Sequence, residues 1–484
     1  MKLILKSPTL ILFISILFNI CLKAQPGNYW SVSFNSEASL LAGAVVGGNS
    51  DITSIYYNPA GIAEIEDKKF AINANLFNLS YTNYKNALGT GLNLDYWGFT
   101  VQPRFVSFIF KLKKAEKLVW QFALFNHDDK RISTYDQIEK PVQLIHPNIN
   151  ENYIGNIDFV SDYTDSWGGF GVAYQVNEKL TIGGSILGSI KNFSYMKLIN
   201  IDVHPVREDL PDTMDYYIGS SYSYEKVILY DVRLIGKFGI RYHQKQFSFG
   251  LNLSLPSVKL SGNSNVRRNI SNKGIYLGGN SLEDMYLNES ATFLESRFKD
   301  PLSFSFGFVF TNLSGRSSYY FTTEYFHKIN SYKAIDGTKV ISNKYEPASD
   351  FLSYKYGAKS IVNLAIGAKH YLSDKFEILF GFRTNFSPYL ASNEGLFQYL
   401  NEFTETPANL YHFTGGSKFN YKQFSVIAGL EYTIGISRNI SEFVNFAEPD
   451  VRTGNVLALA GDNNNNMDYI YNAFGLYFGL TIGF

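Results

Sequence analysis

The sequence predicts an all-β protein, a 14-stranded antiparallel transmembrane β-barrel. Three observations support this: large apolar residues alternate with small ones, short connections alternate with long ones, and Phe, Tyr and Gly are abundant. In residues 473–484, even positions hold Phe, Leu or Ile, and odd positions hold Gly, Ala, Thr or Tyr. Successive strand side chains point to opposite faces, so one face is apolar throughout. Because so many large groups cannot fit inside a barrel, that face is predicted to contact lipid.

Other segments repeat the pattern. Large apolar residues occupy alternate positions in 247–255, 302–310, 376–382 and 424–432, and Ser, Gly, Asn or charged residues fill most positions between them. The charged side chains of these strands are therefore predicted to face inward, where polar groups meet water or one another.

The strand number follows from the connections. Six tight polar turns are predicted at 113–117, 177–179, 243–246, 312–316, 373–375 and 420–423. Seven long polar segments are predicted as loops, at about 84–94, 137–164, 202–221, 265–296, 335–356, 390–407 and 439–467. Tight turns and long loops alternate, which predicts turns at the periplasmic end and loops outside the cell.

Composition agrees with this class. The 484 residues include 40 Phe, 35 Tyr and 39 Gly, which suits lipid-facing strands with aromatic girdles. Lys and Arg balance Asp and Glu, and both signs are scattered along the chain, so no nucleic-acid partner is expected.

The N-terminal residues have the pattern of a secretory signal peptide. Residues 1–24 carry Lys2 and Lys6, then an apolar run, then Ala24 at the predicted cleavage site. Cys21 is the only cysteine, so a chain cleaved after Ala24 would carry no thiol.

Residues 25–68 lack the strand pattern. Asn35 or Ser36 is predicted to cap a short helix that ends at Gly47 and Gly48. The run Asn58, Pro59, Ala60 and Gly61 has the residues of a type I turn, and on local evidence it could simply be a turn before the first strand.

A family resemblance rests on this region. Residues 42–61, a run of small residues that ends in Asn58, Pro59, Ala60 and Gly61, resemble the N-terminal hatch of the FadL/TodX outer-membrane transporters of hydrophobic compounds. The resemblance implies a hatch at 25–68 that plugs a 14-stranded barrel at 69–484. It also implies a location in the outer membrane of a Gram-negative bacterium.

Inward charges are the first candidate site. A mixed-charge collar that grips the hatch is predicted from Asp231, Arg233, Lys237, Glu324, Lys369, Glu377, Arg383 and Glu431. Ionic groups in a confined interior must be paired or hydrated. The alternative is that these residues only line a water-filled lumen.

Pro103 is the second candidate, because proline removes a ladder hydrogen bond from the second strand. The resemblance implies release of ligand through a kinked strand beside the hatch, although in the family that kink is usually placed in the third strand. The alternative for Pro103 is an ordinary strand end.

No motif indicates catalysis. The seven histidines are dispersed without metal spacing, and no serine or glycine-rich signature stands out. We therefore expect no enzyme activity, no cofactor and no metal site.

The expected function is passive outer-membrane transport of hydrophobic small molecules, such as long-chain fatty acids. Aromatic residues that could make the first contact are Phe193, Tyr195, Phe293, Phe397 and Tyr399. Expected partners are the hydrophobic ligand, outer-membrane lipid and lipopolysaccharide, with a monomeric chain. Two alternatives are a cell-surface accessory subunit of a protein-secretion system and an unselective porin.

Overall fold

The structure is a computed structural model. It describes residues 28–30, 34, 36–48, 51–65, 69–111, 115, 117–277, 280–281, 284–337, 351–389, 398–399, 406–451 and 457–483. The predicted signal peptide, Phe397 and Phe484 lie outside these residues.

The strands are β1 (Lys69–Lys85), β2 (Leu94–Lys111), β3 (Leu118–Val142), β4 (Glu151–Gln175), β5 (Leu180–Pro205), β6 (Gly219–Gln244), β7 (Phe247–Ser254), β8 (Val258–Lys273), β9 (Tyr276–Leu277), β10 (Asn280–Ser281), β11 (Met285–Glu295), β12 (Ser303–Thr311), β13 (Ser317–Phe326), β14 (Ile329–Ile335), β15 (Tyr354–Ala358), β16 (Ile361–Ser373), β17 (Phe376–Asn385), β18 (Gln398–Tyr399), β19 (Asn409–Tyr421), β20 (Phe424–Ile440) and β21 (Met467–Gly483). The helices are α1 (Glu37–Leu40), α2 (Ser54–Tyr57) and two 3-10 helices, Pro59–Glu64 and Arg207–Asp209.

The strands close into an antiparallel barrel. Neighbouring strands pair in chain order, and β1 closes the ring by pairing with β21, from Lys69 opposite Gly483 to Lys85 opposite Asp468. β7 and β8 both pair with β6 and form one interrupted strand, and β11 and β12 form another. The barrel therefore has 14 strands, which confirms the predicted fold class.

The predicted apolar face points outward. In β7, Phe247, Phe249 and Leu251 are exposed on the outside, whereas Ser248 and Asn252 are buried. In β21, Phe474 and Phe478 are exposed, and Tyr477 between them is buried in the lumen. This is the arrangement of a lipid-facing wall.

Each of the six predicted tight turns overlaps a break between two strands, for example the break between Gln244 and Phe247. Two of the predicted loops are wrong. Most of 137–164 belongs to β3 and β4, and most of 265–296 belongs to β8 and β11. These stretches are strands without an apolar outer face, because they continue beyond the lipid-facing band, so the periodicity that identified the other strands is missing.

The long-loop end of the lumen is filled by apolar packing. One cluster joins β14 and β15 to the inner faces of β4, β6 and β8, and includes Phe159, Tyr195 and Tyr356. The other joins the described residues between β20 and β21, 441–451 and 457–466, to β4 and β5, and includes Tyr153 and Phe446. Phe193 and Tyr195 are thus buried core residues and not exposed contact residues, whereas Phe293 is exposed.

No helix in the described part of the chain has the length and apolar character needed to cross a membrane.

Candidate functional site

The described residues between Asn28 and Ile65 lie inside the ring of strands. α1 is N-capped by Ser36, whose hydroxyl accepts from the Ala38 N–H, as predicted. The helix is shorter than predicted, because the chain leaves helical geometry at Ala42 and Gly43, which have φ of 51° and 79°. The described residues that follow contain only two short helices, α2 and Pro59–Glu64, so many of their backbone polar groups need partners outside a helix.

Inward-facing glycines let that segment approach the wall. A Cβ added to any of them would lie within 3.0 Å of an atom of the segment: Gly171, Gly183, Gly239, Gly250, Gly307, Gly367, Gly381, Gly416 and Gly429. We call this set the inner glycines. At Gly381, for example, a Cβ would stand 2.6 Å from the Ala42 nitrogen. Because these residues lie on nine of the barrel strands, the segment is enclosed by the wall.

Hydroxyl groups satisfy much of the segment's backbone. Thr414 donates to the Leu40 carbonyl at 2.8 Å, and Ser185 donates to the Ile55 carbonyl at 3.0 Å. The Val46 N–H donates to Thr322 at 3.3 Å, on a strand without an inner glycine. Glycine and small hydroxyl residues thus form one surface that fits an extended chain.

The Asn58 to Gly61 motif is part of this contact. Asn58 caps the Pro59–Glu64 helix by accepting from the Ala60 N–H at 3.2 Å. Its amide nitrogen donates to the carbonyls of Val46 at 2.9 Å and Ile240 at 3.3 Å. The motif is therefore more than a turn, because its first residue joins two parts of the segment to β6.

The eight predicted collar residues lie in separate clusters. Four of them border the N-terminal segment or its ion partners: Lys237, Glu324, Lys369 and Glu377. Lys237 lies over the Tyr56 ring at 4.1 Å, and Glu324 accepts from the Trp30 indole at 2.7 Å. Arg383 and Glu431 pair at 2.8 Å, and Arg233 and Asp231 pair at 3.2 Å. Their collective grip on the hatch remains a proposal.

Glu37 makes the clearest ionic contact between the segment and the wall. Its two oxygens lie 2.9 Å from Lys369 Nζ and 2.5 Å from Lys418 Nζ. Burial alone would raise the pKa of Glu37, but the two ammonium groups outweigh it and hold the pKa well below its ordinary value. Burial, together with the charge of Glu37, raises the pKa of Asp51 above its ordinary value.

A buried ionic network lies next to the N-terminal segment. Lys191 Nζ is 2.8 Å from Asp165 and 3.4 Å from Asp300, and Arg233 Nε is 3.7 Å from Asp300. His127 lies 3.3 Å from Asp165, and its other ring nitrogen is 3.2 Å from the Tyr56 hydroxyl. The network therefore joins the N-terminal segment to β3.

The wall has a gap between β2 and β3. Their ladder runs from Lys111 opposite Val119 to Phe105 opposite Phe125 and extends no further in the described residues. Nearer the long loops, a hydrogen bond of 3.0 Å from the Thr134 hydroxyl to the Asp95 carbonyl joins the strands again. Between these two points each strand pairs only with its other neighbour.

Both strands are irregular at the foot of this gap. The β1–β2 register shifts so that Asn73 faces Phe105 and Ala74 faces Pro103, which leaves Arg104 as an extra residue. The β3–β4 register shifts between Asn126 and Asp128. Pro103 therefore lies next to a bulge, where the loss of its N–H is tolerated. Its role as an exit kink stays a prediction.

A cavity of about 160 Å³ lies behind the gap. Its lining includes charged residues from both edges of the gap and from β20: Arg104, Asp128, Asp129, Lys130, Arg131 and Glu431. Tyr96, Tyr469, Tyr471 and Tyr477 supply aromatic surface with hydroxyl groups. The cavity can hold a small molecule that has both a polar and an apolar part.

Several of these residues were not predicted. Lys418 faces inward on β19 by the same alternation that identified its neighbours, so the parity of the strand could have found it. Asp165 directly follows residues 137–164, which the sequence predicts as a loop. The contact of His127 with Tyr56 joins positions far apart in sequence, and no local signal predicts it.

Comparisons with known proteins agree with this architecture. No family model and no curated protein sequence matches the chain. Solved structures do match over nearly its whole length. A FadL homologue of Pseudomonas aeruginosa is 11% identical with a TM-score of 0.56, and 96% of this chain and 99% of that chain are covered. The toluene transporter TbuX of Ralstonia pickettii is 13% identical with a TM-score of 0.55, covering 96% and 100%.

The toluene transporter TodX of P. putida is 11% identical with a TM-score of 0.56, covering 92% of this chain and 97% of that chain. The protein is thus a closed antiparallel barrel of 14 strands with its N-terminal segment enclosed by the wall. More particularly, it has the FadL/TodX-type fold, which confirms the resemblance at the level of fold.

Proposed function

We propose that the chain is an outer-membrane protein of a Gram-negative bacterium that passively transports hydrophobic small molecules, such as long-chain fatty acids. In this proposal the N-terminal segment is the hatch, residues 1–24 are a signal peptide and the barrel is monomeric. Its partners are the ligand, the surrounding lipid and lipopolysaccharide. The names of the FadL homologue, TbuX and TodX support a transport role for this fold.

The observation that carries the proposal is the gap between β2 and β3 with a cavity behind it. A barrel whose bore is filled by its own N-terminal segment offers no wide aqueous path along its axis. A break in the wall gives a ligand with apolar surface direct contact between the lumen and the acyl chains. Burial of apolar area would supply most of the affinity, at about 25 cal/mol per Å².

Uptake by cells tests this function. A Gram-negative host without long-chain fatty acid uptake of its own would express the full chain, and radiolabelled oleate, toluene and sucrose would be supplied. We expect uptake of oleate, toluene or both above the level of empty cells, and no uptake of sucrose. Folded barrel in the outer membrane without any added uptake of oleate or toluene would contradict the proposal.

One observation favours a second function. β3, β4, β5 and β6 continue past the apolar outer band, and the added wall is polar on its outside, with Asp158 and Asp162 on β4. Such a projecting sheet suits a cell-surface accessory subunit of a protein-secretion system. Affinity purification of the cross-linked chain from its own cells separates transport from the accessory role. Recovery of stably bound secretion proteins with the chain would favour the accessory role.

A further inference from the structure

β6, β8 and β11 form a row of outward polar side chains that contains two cations. In the β6–β8 ladder Lys226 lies directly opposite Arg267, and in the β8–β11 ladder Arg267 lies directly opposite Ser290. The neighbours of the two cations along the strands, such as Val227 and Val266, are buried in the core on the inner face, so Lys226 and Arg267 point outward. The row therefore places an ammonium, a guanidinium and a hydroxyl group side by side.

The two cations face each other without a carboxylate between them. Like charges directly opposite each other on a sheet are destabilising. Within the described residues neither Lys226 nor Arg267 makes an ion pair, whereas Arg268, on the inner face, lies 3.9 Å from Glu225. The Arg267 guanidinium lies over the Tyr224 ring at 5.6 Å instead. An anion bound between Lys226 and Arg267 would remove their repulsion.

The row lies at the edge of the apolar outer band. Towards the tight turn after β6, the outward positions that follow Lys226 hold Ile228, Tyr230, Leu234 and Phe238, which are all exposed. Successive outward residues on a strand are about 7 Å apart, so the cations stand about one such step from the apolar surface. With tight turns at the periplasmic end, this edge is the outer border of the membrane. Cations at this height meet the headgroups of the outer leaflet.

The two rows further from the lipid carry hydrogen-bonding groups. The ladder partners in these rows are Tyr224, Asn269 and Asn288, and then Tyr222, Ser271 and Tyr286. Amide and hydroxyl groups both donate and accept hydrogen bonds, and the tyrosine rings add flat apolar area, which suits sugars. From the membrane outward, the surface is thus apolar, then cationic, then polar and aromatic. A glycolipid whose acyl chains are joined to phosphorylated sugars presents its groups in the same order.

We propose that Lys226 and Arg267 bind a phosphate group of lipopolysaccharide in the outer leaflet. Ser290 adds a hydroxyl donor, and the two rows beyond contact the sugars. The guanidinium fork matches two phosphate oxygens, and the lysine supplies a second charge. This inference rests on the proposed outer-membrane location and names the site at which the chain binds lipopolysaccharide. An anionic phospholipid would meet the two cations but would not fill the sugar rows.

Binding of bisphosphorylated lipid A to the purified full chain in detergent tests the site. We expect Lys226→Gln and Arg267→Gln each to weaken binding about tenfold, the loss of one charge-assisted hydrogen bond. Arg267→Lys should restore part of the affinity. Arg438→Gln, on an exposed arginine of β20 with no cation opposite it in the described ladders, is the control and should bind like the unmodified chain. Equal weakening in the control, or no weakening in any variant, would overturn the site.

Thermal unfolding separates ligand binding from a structural role. Without lipid A, Lys226→Gln should unfold at the same temperature as the unmodified chain or at a higher one, because it removes a like charge opposite Arg267. Saturating lipid A should raise the unfolding temperature of the unmodified chain and of Arg438→Gln, and should raise that of Lys226→Gln less. A lower unfolding temperature of Lys226→Gln without lipid A would show a structural role and overturn the proposal.

Two further probes identify the chemical class. Dephosphorylated lipid A should bind at least tenfold more weakly than the bisphosphorylated form. Phosphatidylglycerol, which has a phosphate but no sugar, should also bind more weakly, and Asn288→Ala should narrow its difference from lipid A. Phosphatidylglycerol that binds as tightly as lipid A to the unmodified chain would overturn the assignment to lipopolysaccharide.

These outcomes are separate from the test of transport, because binding is measured on the purified barrel. An outer-membrane chain that takes up neither oleate nor toluene would contradict the transport function and leave the lipid A site standing. Lipid A binding that is unchanged in Lys226→Gln and Arg267→Gln would overturn the site and leave the transport function standing.

Discussion

Gly250 of β7 lies directly against the carbonyl group of Val46, so close that a Cβ on Gly250 would overlap the Val46 oxygen. The same glycine is near the Asn58 side chain, whose amide nitrogen would be 2.9 Å from that Cβ. The contact therefore joins the barrel wall to both halves of the N-terminal segment. It depends on the absence of a side chain, so even the smallest addition tests it.

Gly250→Ala should push the N-terminal segment away from β7. Overpacking of a close contact costs about 1–3 kcal/mol, and here the displaced partner is backbone that cannot rotate aside. We expect a folded barrel that admits small polar dyes into liposomes. Gly236→Ala is the control, because its nearest new neighbour is a Leu255 methyl carbon at 3.6 Å. Equal leakage from both variants would show that the segment does not depend on the inner glycines.

Deletion of residues 36–67 should leave a heat-resistant barrel that leaks. The ladders that close the ring start at Lys69 and end at Gly483, so the segment is not needed for closure. Its removal empties the space between the inner glycines. Dye efflux from proteoliposomes measures the result, and permeability equal to that of the full chain would contradict the plug.

Glu37 should keep the segment in place well into the acid range. Its pKa is lowered from the ordinary 4.5, so the ion pairs with Lys369 and Lys418 are intact above that value and are lost only as the pH falls through the lower, folded pKa. Dye leakage should therefore stay low from neutral pH to about pH 4.5. Glu37→Gln should leak more throughout this range. A steep rise in leakage near pH 6 would contradict the ion-pair contact.

Lys191→Met should destabilise the barrel strongly. It leaves Asp165 and Asp300 buried without their shared cation, and removing one partner of a buried pair costs about 3–5 kcal/mol. Lys259→Met is the matched control, because its pair with Glu295 is partly exposed and such pairs contribute at most about 1 kcal/mol. Urea titration followed by heat-modified gel mobility measures both. Similar shifts for the two variants would show that the buried network adds no stability.

Much of the barrel could be predicted because a membrane imposes a strict period. Every lipid-facing position must be apolar, so alternate residues such as Phe247 and Phe249 mark a strand without any knowledge of its neighbours. The same reasoning failed for 137–164, since strands beyond the lipid have no such constraint. Their apolar residues, such as Tyr153 and Phe159, face inward.

The candidate site could be predicted only in part. The alternation along each strand assigned Lys369 and Glu377 to the inner face. Alternation does not give the position of a residue along the barrel axis, so it could not separate the charges into clusters. The acid that pairs with Lys369, Glu37, lies in a segment without strand periodicity. The gap between β2 and β3 depends on which ladder bonds are absent, and a single strand does not reveal that.

The sequence by itself determined that this chain forms a barrel of 14 strands with an apolar outer face, preceded by an N-terminal segment that lacks the strand periodicity. The lipid environment dictates one alternation for every strand, and alternation is a local property. Only the tertiary structure decided where the segment lies, which charges meet and where the wall opens. Those features arise from distances between residues such as Gly250 and Val46, which are far apart in the chain and adjacent only after the ring has closed.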